Sequence, residues 1–250
     1  MDASVIYILW KRQLIRYFRS RSRMIGSIAQ PLLFLLALGF GFSSVFQKAG
    51  QGDYFEFLTP GIISMAILFT ATFTGIEIIW DRQFGFLKET LVAPVSRLEI
   101  MIGRTLGGAT VSSLQGIIVM IIASLVGFVP QSLLMIPVAF VFMFLTATLF
   151  CAIGTAIASR LQDMQGFQLI INFIVMPLFF LSGALFPLTG LPQVVEYISK
   201  ADLLSYGVDG IRGALAGITY FGFATDFAVL GISTGIALTI GSHLFSKMQI

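Results

Sequence analysis

Charge is what this chain has least of. Only 11% of its 250 residues are Asp, Glu, Lys or Arg, against about 25% in an ordinary soluble domain. So little polar surface cannot cover a globule of this size, so the solvent for most of the chain is lipid. That excludes a soluble enzyme, a nucleic-acid-binding module and a disordered tail. One His and one Cys leave little for a metal site, and Cys151 alone cannot close an intrachain disulfide. No Gly is followed by Lys anywhere, so the phosphate-wrapping Gly-Lys-Ser/Thr loop of a nucleotide-driven engine is missing. No paired intramembrane aspartates and no Ser/His or Cys/His arrangement is visible, so no catalytic residues are assigned. What is abundant is apolar: 57% of the residues are hydrophobic, 25 of them Phe, and mean hydropathy is +0.94.

A helix crossing ~30 Å of hydrocarbon needs about 20 apolar residues, and the gaps between charges supply them. One span fits between Arg23 and Lys48, one between Glu56 and Glu77, one between Asp163 and Glu196, and one between Asp226 and Lys247. The long gap from Arg104 to Arg160 is broken by Gly127, Pro130, Gln131 and Ser132, which reads as two helices joined by a tight hairpin. The chain is therefore an all-α polytopic membrane protein forming a single transmembrane domain over residues 1–250. Its six spans are expected at about 25–46, 57–80, 105–128, 133–158, 165–186 and 226–246.

Basic residues are retained on the cytoplasmic side of a membrane. With six spans both termini share a side, and that side carries twelve of the fifteen Lys and Arg. Six fall between Lys11 and Arg23, four are Arg82, Lys88, Arg97 and Arg104, and the others are Arg160 and Lys247. The opposite side has Lys48, Lys200 and Arg212. Both termini are thus expected in the cytoplasm, in the cell membrane. No cleavable signal peptide is expected, because Val5 to Trp10 precede the basic run.

Residues 4–23 read as an interfacial amphipathic helix. Arg12, Arg16, Arg19 and Arg23 recur on one face, offered to anionic headgroups, and Tyr7, Trp10, Leu14 and Phe18 recur on the other. The same pattern serves as an ordinary positively charged anchor. In the loop from Asp81 to Arg104, Phe84, Leu87 and Leu91 share a face until Pro94 ends the helix, and Ser96 with Glu99 forms a capping box for the next. That short helix either meets a cytoplasmic partner or lies on the bilayer. Between the fifth and sixth spans, Pro192 starts one short helix and Asp202 caps another, both too short to cross and re-entrant-like in composition.

Three features together resemble a known family: the FGFLKETLVAPVSRLEIMIGR loop, the FFLSGALFPLTGLPQVVEYISKADLLSYGVDGIRGAL block, and a surface helix followed by six spans. The whole chain resembles a type-2 ABC transporter permease, the membrane subunit of ATP-driven exporters such as the daunorubicin-resistance type. The resemblance implies a coupling helix at about Phe84 to Val92, with Phe84, Leu87, Lys88, Glu89, Leu91 and Arg97 meeting an ABC ATPase subunit, and Trp10, Arg12, Arg16, Arg19 and Arg23 bracing the contact. It implies a dimer of ATPases bound to two permeases, a second copy or a paralogue. ATP and Mg would bind the partner; this chain would hold no cofactor and no metal, and would not itself be an enzyme. Many relatives carry acidic residues where this loop has Gln83 and Phe86.

Polar residues inside spans are costly in lipid and mark interior faces. Thr70, Thr74, Glu77 and Asp81 form one stripe, Arg104, Gly108, Ser112 and Gln115 a second, and Gln165, Gln168 and Asn172 a third. By resemblance, the second and fifth spans line a translocation path through Thr70, Thr74, Glu77, Gln168 and Asn172; interhelical hydrogen bonding is the alternative use. The expected function is export of an amphipathic or hydrophobic substrate. Export of a glycoconjugate or an ion is the alternative within the family. An intramembrane enzyme or a passive channel is the alternative outside it.

Overall fold

The computed structural model describes residues 3–48, 53–86, 95–161 and 163–246, excepting the side chains of Arg23 and Gln47. Among the described residues all regular structure is helical. The order is α1 (Ala3–Arg19), α2 (Arg21–Lys48), α3 (Tyr54–Phe73), α4 (Ile76–Gln83), α5 (Arg97–Val126), a 3-10 turn (Leu133–Met135), α6 (Ile136–Arg160), α7 (Met164–Leu181), α8 (Gln193–Ala201), α9 (Leu203–Ala216) and α10 (Phe223–Ser246). Among the described residues six stretches are long and apolar enough to cross a membrane: Met24–Phe46, Tyr54–Gln83, Arg97–Val126, Leu133–Arg160, Met164–Leu181 and Phe223–Ser246. The chain is an all-α, multi-pass membrane protein.

Burial sorts these helices into centre and rim. In the second span 83% of the most apolar window is buried, against 17% in the first and sixth and 22% in the fifth. A helix that is apolar all round belongs in the middle, and α3 is packed by α2, α5, α6 and α9. The third span, α5, begins at Arg97, ahead of its apolar part, because the predicted cap forms there. Ser96 Oγ accepts from the Glu99 N–H at 3.1 Å, and the Ser96 N–H donates to Glu99 Oε2 at 3.0 Å.

The second span tightens in its middle, where Thr74 and Gly75 keep helical dihedrals and Gly75, Glu77 and Ile78 donate three residues back. After Phe73 the chain makes a turn at Thr74 and Gly75 before α4 resumes. Gly75 rests on Gly154 of α6 so closely that a Cβ on Gly75 would sit 2.3 Å from the Gly154 carbonyl oxygen, and one on Gly154 2.4 Å from that of Thr72. Only bare backbones fit at this crossing.

The segment between the fifth and sixth spans is folded into the bundle. Asp202 caps α9, accepting from the Leu204 N–H at 2.8 Å, and α9 then packs between α3, α6 and α10. Buried Arg212 fastens it, donating to the carbonyls of Gly183 at 2.9 Å, Ala184 at 3.2 Å and Phe57 at 3.3 Å, with its guanidinium 4.0 Å from the Phe57 ring centroid.

Candidate functional site

The polar stripes of the second and third spans meet the arginine face of α1 at one end of the bundle. α1 lies along the first half of α5, where Gly103 and Gly107 let it approach: a Cβ on Gly103 would be 2.9 Å from Leu9 Cβ, and one on Gly107 2.7 Å from Gln13 Cβ. Trp10 Nε1 donates to Thr110 Oγ1 at 3.0 Å, and the Tyr17 hydroxyl donates to Gln115 Oε1. The buried residues of α1 are Leu9, Gln13 and Tyr17, whereas Tyr7 and Phe18 are exposed. The helix therefore turns to the protein a face about one position removed from the aromatic face that the spacing singled out, because the contact is with a glycine-notched helix.

This docking aims Arg12 and Arg16 at α4. Glu77 and Asp81, four residues apart on α4, are both buried. Asp81 accepts from Arg12 Nη2 and from Arg16 Nη2, each at 3.0 Å, and from Arg104 Nη2 of α5; Glu77 accepts from Arg16 Nη1 at 3.2 Å. Five charges thus tie three helices together. Arg104 is buried, while Arg12 and Arg16 keep 35% and 29% of their side-chain surface open. Burial pulls the Arg16 guanidinium down, but the carboxylates of Glu77 and Asp81 outweigh it and hold its pKa above the ordinary value. Arg82, the next residue, donates to the Leu161 and Ser159 carbonyls at 3.0 and 3.1 Å. A cation on the last carbonyls of α6 is favourable for the helix dipole.

The segment that follows leaves from this junction. Phe84 ends α4 and is exposed, as is Phe86, whose ring has the Arg12 guanidinium 6.0 Å from its centroid. Arg97 is half-buried at the start of α5. Leu87, Lys88, Glu89 and Leu91 lie outside the described residues, as does the side chain of Arg23; Arg19 is exposed at the end of α1.

Of the residues expected to line a path, Thr70, Thr74 and Glu77 are brought to the same region. Thr70 lines a cleft of about 320 Å³ between α2 and the α3–α4 turn, together with Tyr17, Gln30, Met65, Phe69 and Trp80. Thr74 is buried, its hydroxyl donating to the Ala71 carbonyl at 2.6 Å and lying 3.5 Å from Cys151 Sγ. Glu77 is committed to Arg16 rather than to the cleft. Gln168 and Asn172 stand apart, exposed on α7, whose buried stripe is Phe167, Ile171, Val175 and Phe179. Among the described residues no cluster of three or more His, Cys, Asp or Glu could hold a metal ion.

The joining of Arg12 and Arg16 to Glu77 and Asp81 is what periodicity alone missed. The available signal was complementary charge at matched spacing, two arginines four apart and two carboxylates four apart.

Comparison with known proteins adds the family. The sequence model described as ABC-2 type transporter matches residues 4–216. Transport permease ycf38 of Cyanophora paradoxa is 29% identical over 214 residues, covering 83% of this chain and 72% of the relative. Nodulation protein J of Rhizobium leguminosarum bv. trifolii is 27% identical over 213 residues, covering 84% and 78%. Nodulation protein J of Rhizobium leguminosarum bv. viciae is 24% identical over 245 residues, covering 96% and 91%. With a match that runs from α1 through α9 and takes in the whole charged junction, the chain belongs to the ABC-2 type transporter family.

Proposed function

We propose that this chain is the membrane-spanning permease subunit of an ATP-driven exporter. A separate ABC ATPase subunit binds ATP and magnesium and supplies the energy. The observation that carries the reading is the five-charge junction of α1, α4 and α5, which flanks the 84–96 segment on both sides. A push on that segment reaches α4 and α5 together, and the arginines of α1 keep the two from separating. Twelve of fifteen basic residues gather on this side, which makes it the cytoplasmic side and puts both termini there.

The cleft beside the junction supports an amphipathic or hydrophobic cargo, drug-like or lipid-like. Its walls are mainly aromatic and aliphatic, with the carboxamide of Gln30 and the hydroxyls of Thr70 and Tyr17 as polar points, the composition expected of a site for such molecules. Displacement of α4 reshapes the cleft wall that Trp80 provides. Gln168 and Asn172 are costly to expose to lipid, and a second permease, another copy or a paralogue, facing α7 would cover them.

The test is co-purification. The chain should be recovered from membranes with an ATPase subunit, and replacing Leu87 and Leu91 together by Asp should abolish that complex while the chain stays inserted. A complex that survives the double replacement intact and fully active would sink the coupling role of this segment.

A further inference from the structure

On the far side of the bundle, α6 and α10 pack together while α7 is held by its single buried stripe, with its closest packing on α3. The gap between them is a groove of about 570 Å³. Leu149, Ile153 and Ile157 of α6, Ile236 and Ile240 of α10 and Ile170 of α7 form its walls. Leu203 at the start of α9 also lines it, and so does Arg160 at the last turn of α6. From Leu149 to Arg160 is eleven residues of helix, about 16 Å, and half of a ~30 Å hydrocarbon core is one leaflet. The groove is one leaflet deep, with a guanidinium at its mouth.

We infer that this groove holds an acyl chain of one anionic phospholipid, its phosphate paired with Arg160. Arg160 is exposed and has no ion-pair or hydrogen-bond partner among the described residues. The nearest carboxylate in sequence, Asp163, caps α7 by accepting from the Gly166 N–H, so it is occupied by backbone. A guanidinium pairs with the phosphodiester oxygens of either kind of lipid, but the quaternary ammonium of a zwitterionic head offsets that attraction, so the anionic head is preferred. The competing occupant is a second copy of the chain. Gln165, Gln168 and Asn172, which a second copy would cover, lie about 140–160° around α7 from Ile170 at ~100° per residue. A copy seated on those carboxamides leaves the groove facing lipid. The inference needs only a chain that crosses a membrane, and stands whether or not an ATPase drives it.

The test uses the full chain purified in detergent, with its ATPase where the two co-purify. It is incubated with dioleoylphosphatidylglycerol or dioleoylphosphatidylcholine, and retained lipids are counted by native mass spectrometry. One phosphatidylglycerol per chain is expected, retained about fivefold better than phosphatidylcholine, the preference that one basic side chain near a charged lipid surface provides. Arg160→Gln, at an exposed helix end, should bring the two lipids to parity without disturbing the fold. Ile236→Trp, also at an exposed position, should fill the groove and remove both. Equal retention of the two lipids by the wild type, or an undiminished preference in Arg160→Gln, overturns the inference. So does disulfide cross-linking of two copies through Ile236→Cys, which would make the occupant a second chain.

Discussion

Asp81→Asn removes the carboxylate on which three arginines converge, and the cost can be apportioned from their exposure. Arg12 and Arg16 are about one-third open to solvent, so each can rehydrate, and the loss of such partly exposed pairs costs about 0–1 kcal/mol. Arg104 is 4% exposed and its Nε and Nη1 have no other partner. Stranding a buried charge of this kind costs about 3–5 kcal/mol. The variant should therefore lose about 3–5 kcal/mol, nearly all of it through Arg104, which lowers the melting temperature on the order of 10 °C for a chain of this size. Cys151, the only cysteine and fully buried, is a built-in reporter: a thiol-reactive fluorogenic dye reads unfolding directly. Arg12→Gln should shift the curve by no more than about 1 kcal/mol. Asp81→Asn combined with Arg104→Met should recover most of the loss, because the stranded charge leaves with its partner. Equal costs for Arg12→Gln and Asp81→Asn, or no recovery in the double variant, would refute the assignment of the cost to Arg104.

Gly154→Ala puts a Cβ 2.4 Å from the Thr72 carbonyl and should destabilise by about 1–3 kcal/mol, whereas Gly231→Ala, with open space around it, should be neutral or stabilising by up to about 1 kcal/mol; dye-monitored melting of the pair separates them. Burial pushes the Asp202 carboxyl up from 3.8 to about 7, partly opposed by the hydrogen bond from the Leu204 N–H. Because the folded chain holds this proton more tightly than the unfolded one, Asp202 contributes stability that is full below about pH 4 and is lost as pH rises through 7. Asp202→Asn keeps the helix cap and removes the titration, so relative to wild type it should gain stability between pH 4 and 8, on the order of 4 kcal/mol from three pKa units. A wild-type-to-variant difference that stays constant over that range would contradict a buried, proton-holding Asp202.

The spans were legible because a lipid solvent imposes one requirement that composition answers directly, a long stretch without charge. The Ser96–Glu99 and Asp202 caps were legible because each is settled within four residues. The charged junction was not, because Arg16 and Glu77 are 61 residues apart and periodicity reports which face a residue occupies without reporting what that face meets. Lipid headgroups and a neighbouring carboxylate attract an arginine for the same reason. The packed face of α1 lies about one position from its aromatic face because the contact is decided by two glycines on another helix, Gly103 and Gly107. The close crossing of the second and fourth spans is illegible for a related reason: Gly75 in a helical stretch is ordinary until its partner Gly154, on a different span, is known.

The most direct measurement is uptake of a fluorescent amphipathic dye into inverted vesicles containing this chain and its ATPase, with and without ATP and with orthovanadate as a phosphate analogue. Accumulation that requires ATP and stops with vanadate is expected of a permease driven by a separate engine. Dye movement that is indifferent to both would contradict ATP-driven export and make the bundle a passive path.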